Sequence, residues 1–390
     1  MPNKVIRVYP ASGANTMLPL TPFNGYNPTL LFCGGQVMSD DAWGDYGYPH
    51  IDTWTVEAST DCHRITPEPT DGSAPAYVQD DNLPVGRTMG QFIALPDGTM
   101  LLINGGQYGT AGYAYQTSTT PIGQMPYGLS LARGPVLQPV IYNPNAPAGS
   151  RWSSAGLSSS SIPRLYHSTA ILLPDGSVMV AGSNPNPDVN QTTVYPTTYT
   201  AEYFYPPYFS ASVRPVPQNV PKTLSYGGNP FDITIPPSSY QGNPNDAAGN
   251  TTVWLMRQGF TTHAMNLGQR AMQLNSTYSV QNDGTITIHT AQLPPSPNLF
   301  TPGPAFLFVT IAGIPSNGTY VIVGNGQLGP QPTSAVSVLP ASARNDQASN
   351  SGSGNGGSSS PKKNGAARVW ARCDGIVSLV VAIALTLALS

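Results

Sequence analysis

The chain carries five histidines and three cysteines, so few positions can bind a transition metal or move a proton near neutral pH. His50 and His63 lie in a stretch rich in Asp, Trp and Tyr and read as structural or surface residues. His289 alternates within TITIHT and reads as a strand residue. His167 differs, because Tyr166 precedes it in Arg164-Leu165-Tyr166-His167-Ser168 and the two supply adjacent oxygen and nitrogen donors. Neighbouring side chains on a regular strand point to opposite faces, so both reach one metal only where the backbone bends. On the pair alone, a structural role outweighs ligation. Cys33 and Cys62 are close enough in sequence to close a disulfide loop, or else remain two buried thiols, while Cys373 falls in the C-terminal tail.

The elements that must position these residues are short strands. Forty Gly and 41 Pro make about a fifth of the 390 residues, below the roughly 25–30% that marks a disordered chain. Charged residues are 9% and the formal net charge is −3, which gives neither nucleic acid nor an anionic lipid surface a reason to bind. A surface so poor in charge calls for another solvating layer. Four N-glycosylation sequons, at Asn190, Asn250, Asn275 and Asn317, offer one and suggest secretion.

Two segments are self-similar: RTMGQFIALPDGTMLLINGG (87–106) and RLYHSTAILLPDGSVMVAGS (164–183). Each predicts two strands around a Pro-Asp-Gly turn, with small residues where the second strand ends. A degenerate third copy ends at LLFCGG (30–35). Such hairpins suggest blades of a kelch-like propeller with long insertions, an ordinary β-sandwich being the other reading. Residues 1–205 hold about three blades, fewer than the roughly four to eight that close a propeller. The proline-rich passage 203–217 marks a boundary, after which FDITI, TVWLM, TITIHT and AFLFVTI predict an immunoglobulin-like sandwich over residues 206–340. The expected architecture is all-β, a partial propeller followed by a β-sandwich.

Residues 341–375 read as a flexible linker. Residues 376–390 form an apolar tail too short to span a bilayer, and with the small residues Asn364-Gly365-Ala366 they have the layout of a glycolipid-anchor signal. That signal implies the cell surface, yet the chain opens Met1-Pro-Asn-Lys-Val-Ile-Arg without a secretory leader. The expectation is an N-terminally incomplete product of an extracellular or surface-anchored protein.

The stretch RLYHSTAILLPDGSVMVAGSNPN (164–186), followed by QGFTTHAMNLGQR (258–270), resembles the copper radical oxidases of glyoxal-oxidase type, relatives of galactose oxidase. The similarity runs from about Val8 to Leu328 and includes LLFCGG, RTMGQFIALPDG and TPEPTDG (66–72). The resemblance implies a propeller capped by an immunoglobulin-like (E-set) domain, one loop of which places a histidine on copper. Tyr166 matches the axial tyrosine, which takes up the substrate proton as a base. His167 matches the adjacent imidazole ligand, and His263 the imidazole from the cap. Such nitrogen and oxygen donors suit Cu(II).

The family oxidises small aldehydes to acids and reduces O2 to hydrogen peroxide, using copper and a second tyrosine joined to a cysteine by a thioether. That Cys-Tyr cofactor lies on upstream blades, for which this sequence has no residues, and Cys33 occupies a different family position. The expected partners are a small aldehyde and O2, with the protein a monomer. The competing expectation is a non-catalytic, surface-anchored β protein or a copper- or glycan-binding remnant.

Overall fold

Both Pro-Asp-Gly repeats close the same turn in the computed structural model, which describes residues 1–43 and 47–348. The Asp97 carboxylate accepts from the Thr99 backbone N–H and hydroxyl (2.9 and 2.7 Å), and Asp175 accepts likewise from Ser177 (2.9 and 2.6 Å). The glycines that follow each aspartate, Gly98 and Gly176, have φ of 86° and 88°, a region in which only glycine is unstrained. A short polar side chain that bonds its own backbone two residues on is what makes Asp-Gly a turn signal. The linker beyond residue 348, the tail with its anchor signal, and Cys373 lie outside the described residues.

Around these turns the chain builds three antiparallel sheets of sequential strands. The first joins β1 (Ala14–Met17), β2 (Leu30–Cys33), β3 (Cys62–Ile65) and β4 (Tyr77–Gln79) in that order. Cys33 and Cys62 face each other across β2 and β3 and are joined by a disulfide. The second sheet starts with β5 (Gln91–Ala94) and β6 (Met100–Ile103). A two-stranded insertion, β7 (Gly106–Tyr113) with β8 (Ser130–Pro135), leaves the sheet before it resumes with β9 (Val140–Tyr142) and β10 (Trp152–Ser153). The third holds β11 (Ser168–Leu172), β12 (Val178–Gly182) and β13 (Glu202–Phe204). These meanders have the form of propeller blades.

A buried arginine opens each blade. Arg7 pairs with Asp61, Arg164 pairs with Glu202 at 2.7 Å, and Arg87 donates to the carbonyls of Asn104 and Gln138 (2.8 and 3.2 Å). Burial without a carboxylate pushes the Arg87 guanidinium down to about 9.

The second half supplies β14 (Thr223–Leu224), β15 (Tyr226–Gly228), β16 (Phe231–Ile235), the helix α1 (Pro244–Gly249), β17 (Thr251–Arg257), β18 (Phe260–Thr262) and β19 (Met265–Leu267). It continues through β20 (Arg270–Leu274), β21 (Ser276–Val280), β22 (Ile286–Thr290), β23 (Gly303–Ile311), β24 (Ile314–Pro315), β25 (Thr319–Val323) and β26 (Thr333–Val336). The main sheet runs β14-β25-β23-β17-β20, the facing sheet β16-β22-β21. Between them lies a core of Ile233, Ile288, Leu255, Leu307 and Val309.

The main sheet has a second covered face. Val253 and Leu255 of β17 enter the sandwich core, while Trp254 and Met256 join Phe92, Ile93, Leu101 and Leu172 in a core shared with the blades. Phe308 of β23 does the same. Thus VWLM (253–256) alternates between two apolar cores and not between core and solvent, which is why these four residues are all apolar. Gln269 Oε1 accepts from the Ala94 N–H at 2.9 Å, and the Gly318 N–H donates to the Pro174 carbonyl at 2.7 Å, so polar bonds add to this seam.

Candidate metal centre

The loop ahead of β11 is held from three sides. Arg164 donates to the Gly182 carbonyl (2.7 Å), the Thr200 carbonyl (3.0 Å) and the Glu202 carboxylate (2.7 and 2.9 Å). The Asn184 N–H donates to the Tyr166 carbonyl at 2.7 Å, and the Ser183 N–H to the His167 carbonyl at 3.3 Å. Gly182 permits this approach: its φ is 72°, and a Cβ there would sit 2.8 Å from the His167 carbonyl oxygen. His167 itself takes a left-handed φ of 62°, which histidine tolerates better than bulkier residues. That bend breaks the strand alternation and brings the Tyr166 and His167 rings together, stacked with centroids 3.7 Å apart.

The third residue comes from the sandwich. After β17 the chain makes the hairpin β18–β19, in which Thr262 pairs with Met265 and only His263 and Ala264 form the loop. Their φ values, 52° and 68°, are those of a type I′ turn. Ala264 is the anchor: it is buried with Met89, Ala111, Leu165 and Tyr166. Thr261 Oγ1 donates to the Ala170 carbonyl (3.4 Å) and Asn266 Nδ2 to the Phe92 carbonyl (3.1 Å), fixing the flanks. His263 is thereby presented with Nε2 3.2 Å from His167 Nε2.

Two imidazole nitrogens this far apart can share an ion about 2.0–2.1 Å from each. The Nδ1 of His263 lies 2.8 Å from Thr262 Oγ1; donation of its proton there leaves the Nε2 lone pair for a metal. Among the described residues no group of three or more His, Cys, Asp or Glu side chains could hold an ion. Tyr166 neighbours both histidines, its ring centroid 3.7 Å from that of His167 and 5.6 Å from that of His263. The donor set of two imidazoles and a phenol fits Cu(II). Burial first, then hydrogen bonding to Tyr9, pushes the Tyr166 phenol well up, while burial and then the nearby His263 push His167 down.

Tyr166, His167 and His263, the donors expected from the sequence, converge. His63 is buried with Nδ1 2.9 Å from Asp61, His289 bonds Asp232 and Ser279 (2.7 and 2.9 Å), and His50 is exposed. Tyr9 and Tyr113 were not among the expected residues, although each ring lies with centroid 6.4 Å from Tyr166. A signal for Tyr9 exists: Arg7-Val8-Tyr9 repeats the spacing of Arg164-Leu165-Tyr166, and Arg87-Thr88-Met89 puts another neighbour of Tyr166 at the same step.

Sequential blades joined to a sandwich, with a tyrosine-histidine pair on one and a histidine hairpin from the other, define a galactose oxidase-like architecture. Residues 1–208 match the family model described as glyoxal oxidase N-terminus, and residues 214–323 match galactose oxidase-like, Early set domain. The chain belongs to the glyoxal oxidase family of copper radical oxidases.

Among its relatives are the aldehyde oxidase GLOX1 of Arabidopsis thaliana (33% identical, 81% of this chain, 48% of the relative) and the aldehyde oxidase GLOX of Vitis pseudoreticulata (31%, 81% and 54%). A galactose oxidase of Gibberella zeae is 30% identical over 73% of this chain and 36% of its own. The chain thus spans about half the length of the plant relatives. A fungal alcohol oxidase of the AA5 family, solved in complex with copper, shares the fold with a TM-score of 0.55 at 21% identity, over 80% of this chain and 54% of that one.

Proposed function

We propose that Tyr166, His167 and His263 hold Cu(II) and that the site serves the oxidation of small aldehydes to carboxylic acids, with O2 reduced to hydrogen peroxide. The observation that carries this reading is the 3.2 Å approach of the two Nε2 atoms, made by a left-handed bend at His167 and a two-residue hairpin turn at His263 and Ala264. In balance, RCHO and H2O with O2 give RCOOH and H2O2, so two electrons and two protons leave the aldehyde hydrate. Copper, when bound, supplies a one-electron acceptor and a Lewis acid. Tyr166 would take the proton of the hydrate as the phenolate that copper binding favours, since burial otherwise keeps its phenol protonated.

The second oxidising equivalent requires another group. Both described cysteines are committed to the Cys33–Cys62 disulfide, so among the described residues no thiol is free for a thioether to tyrosine. This favours, as the second reading, a copper-binding protein without turnover of its own. Titration of the full chain with Cu(II), followed by calorimetry and electron paramagnetic resonance, tests the site. One equivalent with two-nitrogen coupling, lost in His167→Ala and His263→Ala, is expected; binding unchanged in both variants would sink the assignment. Peroxide release from methylglyoxal then separates oxidase from binding protein.

An extracellular or cell-surface location belongs to the same reading. It is supported by the disulfide and by the exposed sequon residues Asn250, Asn275 and Asn317.

A further inference from the structure

Beside Tyr166 the surface opens into a cleft of about 560 Å³, within the range of small-molecule sites. Its walls come from three places: Tyr9 at the start of the first blade, Trp43 and Tyr48 from the segment between β2 and β3, and Tyr113 and Leu131 from the β7–β8 insertion. Tyr166 closes one end with its ring only 6% exposed, so the cleft reaches the residue that faces both histidines. Tyr9 spans the junction, with its ring edge-on to His263 at 5.7 Å.

The lining has a definite chemistry. Five aromatic rings surround it, and among the described residues none of its lining side chains is charged. Flat ring faces and edges attract planar π-systems beyond simple area burial. With no metal bound, a carboxylate brought into the same space would shed water and find no cation among the described lining residues in return. The rings are also well placed to act as a wall: Tyr48 and Tyr113 remain 39% and 38% exposed, leaving apolar surface that a ligand would cover.

We infer that this cleft holds the side group of the substrate and selects uncharged, planar aldehydes, aryl or α,β-unsaturated, over carboxylate-bearing ones such as glyoxylate. The inference rests on the metal reading above for what happens to the aldehyde carbon, and on the cleft alone for what is selected.

The test uses the full chain without metal and with Cu(II), and measures binding of benzyl alcohol and of glyoxylate by saturation-transfer NMR. In the metal-free chain benzyl alcohol is expected to bind at least about tenfold more tightly than glyoxylate, since only the latter then carries an uncompensated charge into the cleft. Tyr48→Ala and Tyr113→Ala should each weaken benzyl alcohol, with Tyr113→Phe restoring it and circular dichroism unchanged. Glyoxylate bound equally or more tightly, no binding of either probe, or indifference to both variants would each overturn the inference. Copper titration of the same samples reads the metal site separately: its failure with selective binding intact counts against the metal centre and supports the cleft.

Discussion

His263 Nε2 stands 3.2 Å from His167 Nε2 although 96 residues separate them, one in the turn between β18 and β19 and the other in the loop ahead of β11. A two-residue turn on one side and a left-handed bend on the other make this meeting, so the approach depends on small groups around it.

Ala264 is the most exposed to test. Its methyl is buried among Met89, Leu165 and Tyr166, and Ala264→Leu should lift the hairpin tip, costing about 1–3 kcal/mol by overpacking. Ala264→Gly keeps the left-handed turn and should retain stability and copper affinity. Thermal unfolding and copper titration of the two variants are expected to diverge; equal behaviour would remove the anchor role.

The paired turns offer an internal comparison. Gly98 and Gly176 have the same φ, but a Cβ at Gly98 would meet the Trp254 ring at 2.8 Å, against 3.4 Å to Tyr208 at Gly176. Gly176→Ala should cost the backbone strain alone, on the order of 1–2 kcal/mol, and Gly98→Ala measurably more. Urea denaturation midpoints decide it.

Trp254 should be worth about 3–5 kcal/mol when cut to alanine, as for other buried tryptophans. Because its ring lies in the core shared with the blades, Trp254→Ala is expected to lower the unfolding of the blades and the sandwich together. A loss confined to one set of probes would contradict a shared core.

Asp61 gives the pH dependence. Burial disfavours its charge, but hydrogen bonds from Asn3, His63 and Arg7 and the Arg7 charge outweigh this and lower its pKa. The folded chain therefore favours the ionised form, so the contribution is full above the ordinary carboxylate range and is lost as pH falls through the lowered value. Melting temperature should drop below about pH 4, and Asp61→Asn should be less stable at neutral pH with a shallower acid decline.

The hairpins were legible because Leu-Pro-Asp-Gly carries its own turn chemistry, and Asp97 and Asp175 use it identically. The bend at His167 was legible as a requirement, since adjacent donors cannot share a face of a straight strand. His263 was reached only through family resemblance: nothing local to Thr262-His263-Ala264 announces a partner so distant in sequence. Tyr113 was hidden for a similar reason, its strand being an insertion without the blade repeat. The second face of β17 had a signal in the unbroken apolar run VWLM (253–256), which alternation alone does not explain.

That doubly covered strand sets an order of events during synthesis. The blade core built by about residue 182 lacks Trp254, Met256 and Phe308 until β17 and β23 leave the ribosome. At about 5–20 residues per second the wait is on the order of ten seconds. Throughout it an apolar blade face stays open to water and to other chains, so expression yield should depend more on holding chaperones than on the final stability of the fold.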